Sequence, residues 1–384
     1  MKKVLFLIDS LAVGGAEISV LEVVKNLKRH QAIVCVVYAS NQVLTKEFEK
    51  AGAKLYFLEI SKRFGFMRAI RGLRRVMDLE KPDLLHTTLF KSEIIGRLAV
   101  SRYKIPLVGS LISDTYGKER YALVSKRERL KLNLYKMLNR ITADKVDLFI
   151  SVSQAIVAPN CRYLGIPKEK VVVVANGRDI EIFDRAEPLA KAQIASVGNG
   201  SPTFIISNSR VIKSKGIDEM FHAIKLLVAE FPSLYLIMAG DGFDYEHYRR
   251  LSGEMGVGEN VIFLGRRSDI PALLKGCDIF WFASHYEGSP GVVIEGLLSG
   301  IPMVVSDIDP VLENIEHGKQ ALIFRRGDYL DLAEKTKQLL NNPEIGKSLV
   351  KEASATARRK FDIRKLVEQQ EEVYASLILK HEVS

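Results

Sequence analysis

Short apolar runs alternate along this chain with stretches in which large apolar residues recur every three or four positions. The runs are Val4–Ile8, Ala32–Tyr38, Leu84–His86, Leu107–Leu111, Leu148–Val152 and Val171–Val174, then Phe204–Ser207, Leu234–Met238, Val261–Leu264, Ile279–Phe282 and Met303–Val305. Their length suits strands buried on both faces. Between most of them lie segments of helical period, such as Ile18–Leu27 and Met220–Ala229. That alternation predicts parallel sheets with crossover helices, an α/β fold. The periodicity lapses in EPLAKAQIASVGNGS, residues 187–201, where glycines appear and large apolar residues thin out. This segment is the expected linker. The pattern therefore predicts two doubly wound domains, 1–186 and 202–362, with a site in the cleft between their strand C-termini.

Composition agrees with two cores. The chain has 384 residues, more than one domain of ordinary size needs, and is 47% hydrophobic and 27% charged. No stretch approaches the roughly 20 apolar residues of a membrane span. The opening MKKVLFLIDSL resembles a short leader, but Asp9 interrupts it and no small-residue cleavage site follows before Gly14-Gly15. It reads as a first strand, in a cytoplasmic protein. Cys35, Cys161 and Cys277 lie far apart in or near apolar runs, as reduced packing residues do. The net charge of +10 is concentrated: residues 61–140 hold 19 Lys and Arg against 7 Asp and Glu. A basic half suits an anionic partner.

The most informative stretch is HYEGSPGVVIEGLLSGIPMVVSD, His285 to Asp307. Glu287 and Glu295 stand eight apart across the turn Gly288-Ser289-Pro290-Gly291, which joins an apolar strand to a short helix. Pro290 suits the first helical position and Gly300 the C-terminal end. Val293/Leu297 and Ile294/Leu298 form the apolar stripe, and Glu295 falls outside it. A helix start attracts phosphate, whereas carboxylates are good acceptors for sugar and ribose hydroxyls. Together they suggest a nucleotide-sugar pocket.

Glu287, Glu295 and their setting resemble the Glu-x7-Glu pattern of the group 1 (family 4) glycosyltransferases, retaining enzymes of the GT-B fold. That setting is a strand, a Glu-Gly turn, a helix, Gly300-Ile301-Pro302 and a further strand. The resemblance implies two Rossmann-like domains facing across a cleft, with the last helix, within 363–384, crossing back onto the first. It also implies that Glu287 holds the donor sugar and Glu295 the ribose. Arg210 and Lys215, after the strand Phe204–Ser207, match the pair that grips the donor diphosphate in this family. A departing diphosphate builds charge that fixed cations neutralise, so no metal and no cofactor is expected; Lys213 reads as solvated. By the same resemblance, Gly240 and Arg266 occupy places that in the family surround the nucleotide base, and Gly288, Ser289 and Gly291 are expected to bind the donor. Asn176-Gly177-Arg178-Asp179 with Phe183 resembles a family segment that aids recognition. Asp307-Ile308-Asp309 follows a strand deep in the second domain and is rejected as a metal site.

In the first half, Val13-Gly14-Gly15-Ala16-Glu17 follows the first strand. It lacks the G-x-G-x-x-G of dinucleotide enzymes, which argues against a dehydrogenase. It looks like the family's Gly-Gly-Ala-Glu loop, implying that Gly14 and Gly15 face donor phosphates and acceptor. His86 closes its strand and is expected to point into the cleft. Many relatives carry a histidine near the end of the next strand; here Ser113 or Asp114 takes that place, or the sugar is contacted differently.

The expected function is retaining transfer of a hexose-type sugar from a UDP- or GDP-sugar to a hydroxyl of a polyprenyl-linked or glycan acceptor in cell-envelope assembly. Two basic segments fit lipid. Met67, Ile70, Leu73 and Met77 share a helix with Arg68, Arg71, Arg74 and Arg75, and Leu130, Leu132, Leu134 and Leu138 are interleaved with the charges of 126–140. They point to an anionic membrane surface at the inner face of the cell membrane as a partner, against core-packed helices with solvated charges. Two other functions remain open: a nucleotide-sugar 2-epimerase on the same fold, which needs no acceptor, and a basic, non-enzymatic binding protein. Nucleic acid is not an expected partner, because the basic residues lack interleaved exposed aromatics.

Overall fold

A computed structural model describes residues 1–38, 42–58, 60, 65–197 and 201–383. The chain forms two compact units, Met1–Gly177 with the segment from Ile363 onward, and Arg178–Asp362.

The first unit holds a parallel seven-stranded sheet: β1 (Lys2–Ile8), β2 (His30–Val36), β3 (Lys54–Phe57), β4 (Leu84–Thr88), β5 (Leu107–Leu111), β6 (Leu148–Ser151) and β7 (Val171–Val173), in the order β3-β2-β1-β4-β5-β6-β7. Strand order reverses between β1 and β4, which pair from Val4↔Leu84 to Ile8↔Thr88. The loops leaving the two strands diverge there and open a crevice. Apolar clusters cover both faces, one around Leu5, Leu85 and Phe149, the other around Phe6, Val34 and Ile150.

The second unit repeats the plan with six parallel strands: β8 (Thr203–Ser207), β9 (Leu234–Met238), β10 (Val261–Phe263), β11 (Ile279–Phe282), β12 (Met303–Ser306) and β13 (Leu322–Phe324), in the order β10-β9-β8-β11-β12-β13. Its reversal lies between β8 and β11, which pair at Ile279↔Ile205 and Phe280↔Ile206. Trp281 is fully buried there and donates its indole N–H to Thr336 at 2.9 Å.

Each predicted run became a strand, and two strands had no apolar run to announce them. β3 is a sheet-edge strand, KLYF, with no fully buried residue, and β13 is a three-residue edge. The division between units also falls elsewhere than at 187–201. Arg178 N donates to the Phe361 carbonyl at 2.9 Å, Leu189 N donates to the Ala272 carbonyl at 3.1 Å, and Ile194 is buried. Residues 178–197 therefore pack on the second unit, with a short helix at Lys191–Ile194; residues 198–200 lie outside the described residues. The segment docks through two isolated apolar anchors, Phe183 and Ile194, and through polar contacts such as Lys191 to Asp278 at 2.7 Å, which hydrophobic period does not register.

The closing helix, Ile363–Val383, belongs to the first unit. Its Glu371 carboxylate accepts the N–H groups of Arg29 at 2.7 Å and His30 at 3.0 Å. Tyr374 is buried against Phe6, with its hydroxyl 2.6 Å from His86 Nδ1. The three cysteines are free and buried.

Candidate functional site

In the second unit the predicted residues gather at the strand-order reversal. The loop after β8 carries Asn208, Ser209, Arg210 and Lys215, and the turn after β11 carries Ser284 through Gly291. Gly216 allows the two loops to meet. Its φ is +69°, and a Cβ there would stand 2.1 Å from the Ala283 carbonyl oxygen. Lys215, buried by this approach, forms an ion pair with Glu287 Oε1, which also accepts a hydrogen bond from Ser284 Oγ at 3.1 Å.

The helix beyond the turn runs Gly291–Ser299, so Pro290 caps it from outside and does not occupy its first position; Gly300 closes it in the left-handed conformation. In its first turn the Val293 N–H donates to the Pro290 carbonyl at 3.0 Å, which leaves the N–H groups of Gly291 and Val292 as the ones a helix start can offer to an anion. Glu295, one turn in, is partly buried. Its Oε1 accepts Arg178 Nε at 2.8 Å and its Oε2 accepts Asn208 Nδ2 at 2.7 Å. Asn208 is buried, and its Oδ1 has no hydrogen-bond partner.

Both carboxylates thus stand beside a buried cation at the C-terminal ends of β8 and β11. Each retains lone pairs beyond those used, since an ionised carboxylate has about four acceptor positions. Arg210 and Lys213 are exposed on the β8 loop, and Gly240 opens the loop after β9 against the Ser209 carbonyl. Arg266 is exposed beyond β10. Arg178 was not among the predicted site residues. It is separated from Glu295 by 117 positions, and only the recognition segment around Asn176-Gly177 marked its neighbourhood.

In the first unit the picture differs. Gly14 precedes the helix Gly15–Asn26, and Gly15 begins it. β4 runs two residues past His86, so this histidine lies within the strand and not at its end. It is buried, with Nδ1 facing Tyr374 and Nε2 2.9 Å from Ser110 Oγ, and burial lowers its pKa to about 3. These contacts correct the cleft-facing expectation: His86 is a neutral core residue.

The ends of β1, β4 and β5 instead open onto a cavity of about 520 Å³ roofed by the helix Lys126–Thr142. Ser113 lines it, whereas Asp114 is not among the lining residues. Asp9 and Glu93 form its acidic end. Burial raises the pKa of both, Glu93 to about 7. Asp9 accepts Ser92 N at 2.8 Å, and Glu93 holds Arg97 at 2.5 Å. Among the described residues no three His, Cys, Asp or Glu side chains gather into a metal-holding group. Asp307 instead accepts the backbone N–H of Arg326 at 2.8 Å.

The chain resembles solved structures from end to end. A structure of Anabaena Alr3699/HepE with UDP-glucose superposes with a TM-score of 0.82 at 22% identity, covering 98% of this chain and all of the other. At that identity the likeness is one of fold, which is GT-B. Two family models cover most of the sequence: Glycosyltransferase Family 4 at residues 13–182 and Glycosyl transferases group 1 at residues 191–356. The chain belongs to the group 1 glycosyltransferases.

Among its relatives is the UDP-Gal:alpha-D-GlcNAc-diphosphoundecaprenol alpha-1,3-galactosyltransferase of Escherichia coli, 27% identical over 63% of this chain and 62% of that protein. Another is the N,N'-diacetylbacillosaminyl-diphospho-undecaprenol alpha-1,3-N-acetylgalactosaminyltransferase of Campylobacter jejuni, 24% identical over 88% of this chain and 89% of that protein. The match to the Escherichia coli enzyme therefore spans under two thirds of its length.

Proposed function

We propose that this protein transfers a hexose-type sugar from a nucleoside diphosphate sugar to a hydroxyl of a lipid-linked or glycan acceptor, with retention at the anomeric carbon. The observation that carries the reading is the pairing of Glu287 with Lys215 and of Glu295 with Arg178 and Asn208 at one strand-order reversal. Glu295 accepts ribose hydroxyls on its remaining lone pairs, and the unpartnered Oδ1 of Asn208 is a buried acceptor that a ligand hydroxyl satisfies. Lys215 turns from Glu287 to the diphosphate when the donor enters, which frees Glu287 for the sugar. Arg210 adds a planar fork for phosphate oxygens.

The acceptor oxygen attacks on the face from which the diphosphate departs, and a phosphate oxygen takes the proton. The protein supplies orientation and charge stabilisation. With Arg210 and Lys215 supplying the positive charge from side chains, the transfer requires no metal ion. The relatives' names support the donor and the acceptor: UDP-Gal in one, undecaprenol-linked sugars in both. A uridine nucleotide is therefore the first donor to test, with GDP-sugars beside it, and the expected place of action is the inner membrane face in cell-envelope glycan assembly. Calorimetry with UDP, GDP and their sugars tests the reading. Saturable binding of one nucleotide family is expected, and absence of binding to all of them overturns it.

A further inference from the structure

The helix Lys126–Thr142 has apolar residues on two opposite faces. Leu132, Asn139 and Thr142 are buried, and Leu132 and Tyr135 line the cavity beneath. On the outer side Leu130, Leu134, Met137 and Ile141 are 72%, 52%, 50% and 65% exposed. Their spacing, i, i+4, i+7 and i+11, sets them in one line along the helix. By the same period Arg127 and Lys131 border that line on one side and Lys126, Arg129 and Arg140 on the other. Glu128 is the helix's single acid, and it is engaged in a capping box with Ser125.

Exposed apolar residues scattered singly need no explanation, whereas a contiguous stripe rimmed by charge marks a contact surface. Cations on both sides of the stripe select an anionic partner. A helix of this length presents a straight edge of roughly 25 Å, which suits a plane better than a pocket. The other basic helix offers no such stripe. In Phe66–Glu80, Ile70, Leu73 and Met77 belong to the core, and the exposed apolar residues are split between its ends, Phe66 and Met67 in the first turn and Leu79 in the last, off their line. Among the described residues no helix is long and apolar enough to cross a membrane.

We propose that the outer face of Lys126–Thr142 docks on an anionic lipid bilayer, with its apolar line at the acyl boundary and its cations among the headgroups. The docked helix holds the cavity bearing Asp9 and Glu93 directly beneath the lipid-facing surface. The inference deepens the lipid-linked acceptor reading and rests on it for its purpose, but its test needs no transfer activity.

The test is co-sedimentation of the whole protein with vesicles of phosphatidylcholine alone or mixed with phosphatidylglycerol, at low and high salt. Binding to the anionic vesicles at low salt is expected, falling on the order of tenfold or more with neutral vesicles or high salt. The doubles Leu134→Asp/Met137→Asp and Arg127→Glu/Arg129→Glu should each lose binding by a similar factor. Because all four residues are exposed, melting temperatures should stay at the wild-type value, which separates lost docking from lost fold. Equal recovery on both vesicle types, no binding to either, or unchanged binding by the first double overturns the proposal. So does a wild-type dimer in sedimentation velocity that the first double converts to monomer, since the stripe would then join two copies of this chain.

Discussion

Replacing Glu295 and Glu287 one at a time should separate nucleotide binding from sugar handling. Glu295→Ala removes the acceptor assigned to the ribose, along with the partners of Arg178 at 2.8 Å and Asn208 at 2.7 Å. Hydrogen bonds to a charged group are worth about 1.5–3 kcal/mol, so affinity for the bare diphosphate should fall by about 1–3 kcal/mol, roughly 5- to 150-fold. The same change leaves the guanidinium of Arg178 buried without its carboxylate, at a stability cost of about 3 kcal/mol. Glu295→Gln retains an oxygen acceptor for Arg178 and serves where the alanine variant unfolds.

Glu287→Ala acts differently, because Glu287 holds Lys215 in the free protein. Its loss leaves Lys215 to the diphosphate alone. Affinity for the bare nucleotide should stay within about twofold of wild type, while turnover of the complete donor falls about 10²-fold, the size of one lost transition-state contact. Calorimetry with the bare diphosphate and steady-state turnover with the donor provide both readouts. Equal losses of nucleotide affinity in the two alanine variants would refute the division of labour.

Arg210→Ala and Lys215→Ala should each reduce turnover on the order of 10²-fold or more, Arg210→Lys should also be impaired, and wild-type activity should survive excess chelator; chelator-abolished transfer restored by Mg²⁺ or Mn²⁺ contradicts this. Gly291→Ala should weaken nucleotide binding and lower the melting temperature, because a Cβ there would stand 1.9 Å from Arg178 Nη2 and push the guanidinium off Glu295; a variant that binds and melts like wild type contradicts the placement of Arg178. His86 titrates near 3 when folded and near 6.5 otherwise. Between those values only the unfolded chain takes up the proton, so stability falls as pH falls, by about 2 kcal/mol from pH ~6.5 to ~5. Urea unfolding of the first unit checks it: His86→Gln should be less stable throughout but lose less between those pH values, and an unchanged slope contradicts a neutral buried His86.

The second unit was legible where chemistry and local grammar coincide. Glu287, Lys215 and Glu295 each follow or flank a recognisable strand end, and a parallel sheet brings such ends together without further information. Arg178 was not legible, because its contact with Glu295 depends on where a segment without period docks. The same cause misplaced the boundary between the units. His86 was misread through its strand's length, since Thr87 and Thr88 carry the β-ladder onward without adding an apolar run. The helix Phe66–Glu80 shows the limit of periodicity. Ile70, Leu73 and Met77 of its expected apolar face are buried in the core while Met67 is exposed, and period alone does not distinguish a face covered by core from one covered by lipid. Lys126–Thr142 needed the structure even more, because its two apolar faces blur into one another along the chain.

The central claim is that a nucleotide sugar bound in the second unit gives up its sugar to an acceptor hydroxyl. The most direct measurement is release of nucleoside diphosphate from a panel of UDP- and GDP-sugars, with and without a polyprenyl diphosphate-linked sugar. The account predicts that one donor is consumed rapidly only when the acceptor is present, with chelator in the buffer, yielding a product of the donor's anomeric configuration. Consumption independent of acceptor, with conversion of the donor into its C2 epimer, would contradict it and make the protein an epimerase.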